Sequence, residues 1–214
     1  MHIQSNTSIL YFGTPVILIS TVNADGTYNL APFSSVFWLG WRCIIGISKS
    51  AKTAENLLRT KECVVNLPSV NEVAAVNRLA LTTGTFPVPP QKVAKGYTYA
   101  GDKFKLAALT HQPSTLLTAP RVLECPIQME AKVAAVWNVG EDDEKLKGRI
   151  LTIELDVLKV HVEETVIMDG NPDKVDPDKW RPLLMSFQHF YGLNAKLGIS
   201  NLASISEHLY QMKK

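Results

Sequence analysis

Two polar patches in the first third of the chain hold the residue types and spacing that could do chemistry. One is Ser48-Lys49-Ser50-Ala51-Lys52-Thr53, where an apolar run gives way to a helical pattern. The other is Asn29-Leu30-Ala31-Pro32-Phe33-Ser34-Ser35-Val36. A helix start leaves backbone N–H groups without intrahelical acceptors and carries partial positive charge. Hydroxyls and a lysine at that spot suit a phosphate. The patch at 29–36 offers hydroxyl and backbone partners to a flat polar ring, so the pair suggests a phosphorylated ring compound. Each patch also has a plainer meaning. Lys52-Thr53 can be an ordinary first turn with a solvated lysine, and Ser34-Ser35 a turn pair bonding its own backbone. A first-turn lysine opposes the helix dipole unless an anion is present. With Ser48 and Ser50 beside it, the phosphate reading is favoured.

Positioning these patches requires strands. Residues 16–22 are rich in β-branched types and run into Asn23-Ala24-Asp25-Gly26, a hairpin signal. The chain returns over 28–35 and bends or ends at Pro32, which cannot donate to a ladder. Residues 42–48 read as a buried strand in which Gly46 allows close approach of another group. A helix over 53–59 turns Leu57 and Leu58 inward, and a strand over 62–67 stops at Pro68. Ser69 and Glu72 form a capping box opening a helix over 70–81. Residues 85–101, with three prolines, form a long surface excursion that either covers a site or is a variable insertion. A short helix is expected at 106–109. A long β region follows over 121–137, with a bulge or edge position at Pro126.

Over 149–162 the apolar parity switches, from Leu151, Ile153, Leu155 and Val157 to Leu158, Val160 and Val162. Such a switch marks a bulge or corner, as barrels need. Asp169-Gly170-Asn171-Pro172 is a turn, residues 182–193 are extended and aromatic, and 202–212 has an amphipathic helical pattern. The expected fold is mainly β with peripheral helices, a closed or nearly closed antiparallel barrel with the helices packed outside. It forms one domain over 1–214, with its core at about 10–195 and a C-terminal helix at 202–212.

With 22 basic and 20 acidic residues and a net charge of +2, the chain makes no electrostatic case for nucleic acid or an anionic membrane. No targeting or bilayer-spanning pattern is present, and a cytoplasmic location is expected. Cys43, Cys63 and Cys125 are widely spaced, which argues against disulfides and metal ligation and suits a reducing compartment. Glu141-Asp142-Asp143-Glu144 is a solvated loop tip. No Ser/His/Asp set, zinc pattern or glycine-rich nucleotide fingerprint is visible, and the catalytic residue is unknown. His189, beside Phe190-Tyr191, and His111, before Gln112-Pro113, are the candidates for touching a substrate. A packed or interface role competes for His189, and His161 belongs to an alternating strand. Trp38 and Trp41 read as core or interface aromatics.

Several segments, in order, resemble the flavin reductase-like, flavoredoxin-type FMN-binding split barrels. They are residues 15–21, 25–34, Lys52-Thr53-Ala54-Glu55-Asn56, Cys63-Val64-Val65-Asn66-Leu67-Pro68, Asp102-Lys103-Phe104, Glu124-Cys125-Pro126-Ile127 and Phe190-Tyr191-Gly192-Leu193. The resemblance implies a homodimer with FMN near the interface. It places Ser48, Ser50, Lys52 and Thr53 on the phosphate, with Asn56 supporting the turn. It sets Pro32, Phe33, Ser34, Ser35 and Val36, with Asn29 at the start of that patch, along the isoalloxazine edge. Late aromatics, Phe190 and Tyr191, approach the site. The implied activity is hydride transfer from NADH or NADPH to bound FMN, serving a small-molecule acceptor or a partner redox protein. The alternative is an FMN-carrying electron-transfer protein without nicotinamide activity, and a third is a barrel binding haem or pyridoxal phosphate instead. Two departures stand out. Gly148-Arg149-Ile150 occupies the place of a Gly-Asp-His found in many nicotinamide-using members, and residues 82–100 have no clear counterpart.

Overall fold

In the computed structural model, which describes residues 1–210, the apolar runs pair into one seven-stranded antiparallel sheet. Its strands in chain order are β1 (Ile17–Val22), β2 (Tyr28–Phe33), β3 (Val36–Leu39), β4 (Arg42–Ser48), β5 (Glu62–Leu67), β6 (Ile127–Val139) and β7 (Ile150–Val162). In space the order is β2-β1-β5-β6-β7-β4-β3. Strands β2 and β3 therefore stand at opposite ends of the sheet, yet only Ser34-Ser35 joins them. The sheet must curl until its two edges come within two residues of each other. The edges do not pair, so the barrel is split along this seam. The Gly46 N–H donates to the Ser35 carbonyl at 2.9 Å and ties the bend to β4. A Cβ on Gly46 would stand 3.3 Å from that of Ser35, the close approach expected there.

Curling a sheet this far needs bulges. In the β6–β7 ladder, Glu130 faces Lys159 while Ala131 faces Val157, so Leu158 is the extra residue. This is the parity switch seen in the sequence. A second bulge leaves Ala134 unmatched. Pro126 is not a bulge. It precedes β6, and its carbonyl accepts the Glu163 N–H at 2.8 Å.

Both faces of β1 are buried, which explains its unbroken apolar run. Ile17 and Ile19 enter the barrel interior with Ile45, Val65, Ile153 and Leu155. Leu18 points outward, to Leu30 and to two helices, α2 (Val73–Leu79) and α4 (Lys103–Ala107). Each such side chain contributes about 1.5–3 kcal/mol through its burial. Helix α1 (Lys52–Thr60) seats Leu57 in the barrel core but leaves Leu58 on the solvent side, one helical step round, where an inward Leu58 was expected.

The capping box at Ser69 forms as read, with the Ser69 N–H donating to Glu72 Oε2 at 2.7 Å. The expected 70–81 helix is shorter. A 3₁₀ turn, Val70–Glu72, leads into α2, which stops before Leu81 takes a left-handed φ of 54°. The expected 106–109 helix lies earlier, as α4, because Asp102 caps it by accepting the Lys105 N–H at 2.9 Å. The excursion after α2 is anchored at both ends, where Thr82–Thr83 pairs in parallel with Thr98–Tyr99, and it carries the short helix α3 (Pro90–Val93). Residues 182–193 form a hairpin, Leu184–Ser186 with His189–Tyr191, joined to Thr14–Pro15. The expected helix at 202–212 is instead two 3₁₀ turns, Asn201–Ser204 and Glu207–Tyr210, with residues 211–212 outside the described part. Leu202 and Leu209 are exposed, so the amphipathic pattern has no apolar surface here to hold an α-helix.

Candidate functional site

The seam of the barrel also holds a cleft. The end of β2, the end of β4 and the start of α1 meet there around a cavity of about 340 Å³. Its walls bring together Pro32, Phe33 and Ser34 from the first sequence patch with Ser48, Lys52 and Thr53 from the second. The topology causes this. Ser34-Ser35 ends one sheet edge, and β4 runs next to the other edge and delivers the chain to α1. The floor is apolar, built from Val16, Ile47, Val76 and Leu79.

Helix α1 begins without a side-chain cap, its N-cap being Ala51. The N–H groups of Lys52, Thr53 and Ala54 precede the first helical bond, from the Glu55 N–H to the Ala51 carbonyl at 3.1 Å. An alanine cap costs about 1 kcal/mol relative to serine or aspartate. Those donors and the dipole end stay available to an anion. Thr53 is buried. Its hydroxyl accepts from Asn29 Nδ2 at 3.0 Å, which leaves its own proton free to donate into the cleft. Lys52 is held meanwhile by Glu55, with Nζ 2.9 Å from both carboxylate oxygens.

The remaining predicted residues lie around the cleft rather than in its wall. Asn29 sits behind Thr53, fully enclosed, with its Oδ1 unpartnered. Gly84 passes close over it, and a Cβ there would stand 2.8 Å from that oxygen. Ser35 is exposed and Val36 belongs to the barrel core, because successive residues of an extended segment point to opposite sides. Ser50 is exposed and shares a 3.1 Å hydroxyl contact with Ser48. Asn56 is buried one turn into α1, donating to Thr21 Oγ1 at 2.9 Å and Asn23 Oδ1 at 2.8 Å, so it fastens the helix to the first hairpin. Tyr191 faces solvent, and the alternation of the hairpin sends Phe190 and Met185 into the cleft instead. His189 is exposed. His111 lines a neighbouring depression, where its ring meets Tyr28 and Phe104 edge-on at 5.2 and 5.7 Å.

Three cleft residues went unread in the sequence. The excursion at 85–101 covers one side of the cleft and contributes Lys92 and Tyr97. Lys92 Nζ donates to Thr83 Oγ1 at 3.2 Å and lies 5.8 Å from the centre of the Tyr97 ring. Lys103, on α4, lines the cleft although the residue is only 3% exposed. A signal for it existed: Lys103, Phe104 and Ala107 share one helical face, and the other two are plainly core types. Burial, with Lys92 second, pulls the Lys103 ammonium down to about 8. Burial also lowers Lys92. Among the described residues, no carboxylate pairs with either lysine.

A buried cation without a counter-ion is a stability cost. We expect Lys103→Met to stabilise the ligand-free protein at pH 7 by roughly 3 kcal/mol, from a shift of this size. The sign follows from linkage. The folded pKa lies below the unfolded one, so the penalty is complete below about pH 8 and fades as pH rises toward the unfolded value. Urea denaturation of the variant and the parent across that range should show the gap closing. A gap that stays constant would place the lysine in a solvated setting.

The model of the flavin reductase like domain matches residues 9–193 of this chain. The uncharacterized protein YdfE of Bacillus subtilis (strain 168) is 37% identical over 190 residues, covering 89% of this chain and 88% of its own. Among solved structures, the flavoredoxin of Desulfovibrio vulgaris (Miyazaki F) superposes with a TM-score of 0.76 at 18% identity, covering 96% of this chain and all of its own. Nitrilotriacetate monooxygenase component B from Bacillus cereus gives a TM-score of 0.69 at 21% identity, covering 90% and 89%. At these identities the two structures establish a common fold, the split barrel.

Proposed function

Because this chain belongs to the flavin reductase-like domain family, we propose that its cleft binds FMN and that the protein is an oxidoreductase moving hydride from NADH or NADPH to that flavin. One observation carries the reading. An apolar cleft is ringed by Lys52, Lys92 and Lys103, by the hydroxyls of Ser48 and Thr53, and by the uncapped start of α1. Such a cleft suits a ligand that is flat and apolar in one part and strongly anionic in another. The buried, unpaired Lys103 and the vacant cap of α1 are donors that lack acceptors within the protein, and a flavin phosphate supplies them.

In this reading Lys52, Thr53 and the α1 N–H groups hold the phosphate, with Ser48 at the rim. Pro32, Phe33 and Ser34 border the ring, and Phe190 and Met185 close the apolar side. The flavin supplies the redox chemistry, and the chain's residues bind it, orient it and keep water from its faces. The protein works as a homodimer. Phe37, Leu39 and Trp41 at the sheet's exposed edge, and Trp137, give that contact an apolar surface. The cysteines are unpaired and buried, with the Cys43 thiol pushed up to about 12 by burial, which suits a reducing cytoplasm.

A second reading is a flavin-carrying electron-transfer protein with no nicotinamide activity. It is favoured by the absence of a histidine from the cleft wall among the described residues, and by Arg149-Ile150 in the place of the Asp-His expected of nicotinamide-using members of the family. The absorbance spectrum of the purified protein, then stopped-flow mixing with NADH and NADPH, tests both. Bleaching of the flavin band within catalytic times supports the reductase. A flavin spectrum that neither nucleotide bleaches supports the carrier, and a haem or pyridoxal spectrum contradicts both.

A further inference from the structure

Lys103 stands out within the cleft, because Lys52 already has Glu55 and Lys92 has Thr83 and Tyr97. The charged and titratable groups on the elements around it are Lys92, Lys95, Tyr97 and Tyr99 from the excursion, Lys52, Glu55 and Arg59 on α1 across the cleft, Arg78 on α2, Tyr28 on β2, and Asp102 and Lys105 on its own helix. Beyond these, His111 reaches the neighbouring Phe104. Of the two carboxylates, Glu55 is held by Lys52 and Asp102 is occupied as a helix cap, and Arg78 donates to the Ala107 carbonyl at the other end of α4. The lysine therefore faces cations and apolar walls with no fixed counter-charge.

We propose that Lys103 is a proton-coupled anion receptor, taking up a proton from solvent as the flavin nucleotide enters the cleft and returning it as the cleft empties. The inference rests on the FMN reading and adds a condition to it. In the ligand-free protein burial, with Lys92 nearby, favours the neutral amine, which near pH 8 makes up about half the population. A phosphate carries nearly two negative charges at that pH, and its own second ionisation, near pH 6, is complete. Its arrival favours the ammonium, so occupancy and protonation rise together. FMN affinity should then fall as pH rises through about 8, while a ligand without the anion gains nothing from the lysine.

Calorimetric titration of FMN into the full chain at about pH 8 and about pH 9, each in two buffers of different ionisation heat, measures the protons taken up. We expect about half a proton per FMN at the lower pH and close to one at the higher, given a free pKa of about 8. Lys103→Arg, permanently charged, should bind FMN with heats that no longer depend on buffer. Lys103→Met should bind at least about ten-fold more weakly, also without uptake. FMN binding to the parent with buffer-independent heats would overturn the coupling and leave the FMN reading intact. Uptake that persists in Lys103→Arg would assign the proton elsewhere and overturn the role given to Lys103. A parent chain that binds no FMN in any buffer would overturn the FMN reading itself.

Discussion

Lys52→Ala combined with Thr53→Ala is expected to weaken FMN binding by roughly 2–4 kcal/mol in a fluorescence titration, through loss of two charge-assisted contacts to phosphate. The size follows from what each side chain does in the ligand-free protein. The Thr53 hydroxyl already accepts from Asn29, so its proton has only the cleft to serve. Removing it also strips Asn29 Nδ2 of its nearer acceptor, since Thr21 Oγ1 is 3.5 Å away. Lys52 must share itself between Glu55 and the ligand, which puts its net worth at the low end for an ion contact. Unchanged affinity would mean that the phosphate lies away from the start of α1.

Glu130→Ala should cost roughly 2–4 kcal/mol of folding stability, measured by urea or thermal denaturation, because it removes a buried acceptor that ties down several part-buried donors. Glu130 is fully buried on β6. It accepts from the Thr115 N–H at 2.8 Å, the Thr115 hydroxyl at 3.0 Å and the Leu116 N–H at 2.7 Å, and it lies 2.7 Å from His161 Nε2. Burial pushes its carboxyl up, but the two N–H groups, His161 and the Thr115 hydroxyl outweigh burial and hold it below the usual range. A depressed folded pKa adds stability that is complete above the unfolded value. That stability is lost as pH falls through the folded value. The parent should therefore lose stability below about pH 4, and Glu130→Gln should be flatter there. Parallel acid profiles for the two would contradict the assignment.

The barrel could be read from the sequence because its signals are local. Period-2 runs, the Asp25-Gly26 turn, the Ser69 capping box and the parity switch at Leu158 each depend on a few adjacent residues. The far ends of elements were less legible. Helix α2 stops where Ala80 turns extended and Leu81 left-handed, which nothing nearby in the sequence announces, and the 202–212 pattern lacks a surface to pack on. Within the cleft, Ser34, Ser48, Lys52 and Thr53 could be found because they lie at a strand end or a helix start. Lys92 and Lys103 reach the same cavity from 40 and 51 residues beyond Lys52. Long-range packing of the excursion and α4 puts them there, and no spacing rule encodes it. Tyr191 and Phe190 differ by one residue in an extended hairpin, where a single step exchanges the cleft face for solvent.

The central claim is that cationic groups at the α1 end of the cleft grip a phosphate while the apolar seam takes the ring. Comparing FMN with riboflavin, which has the same ring and no phosphate, tests it most directly in one fluorescence titration of the ligand-free protein. The account predicts that FMN binds about 100-fold more tightly or better, the worth of a few charge-assisted contacts. Equal affinities for the two flavins, or tighter binding of riboflavin, would contradict it.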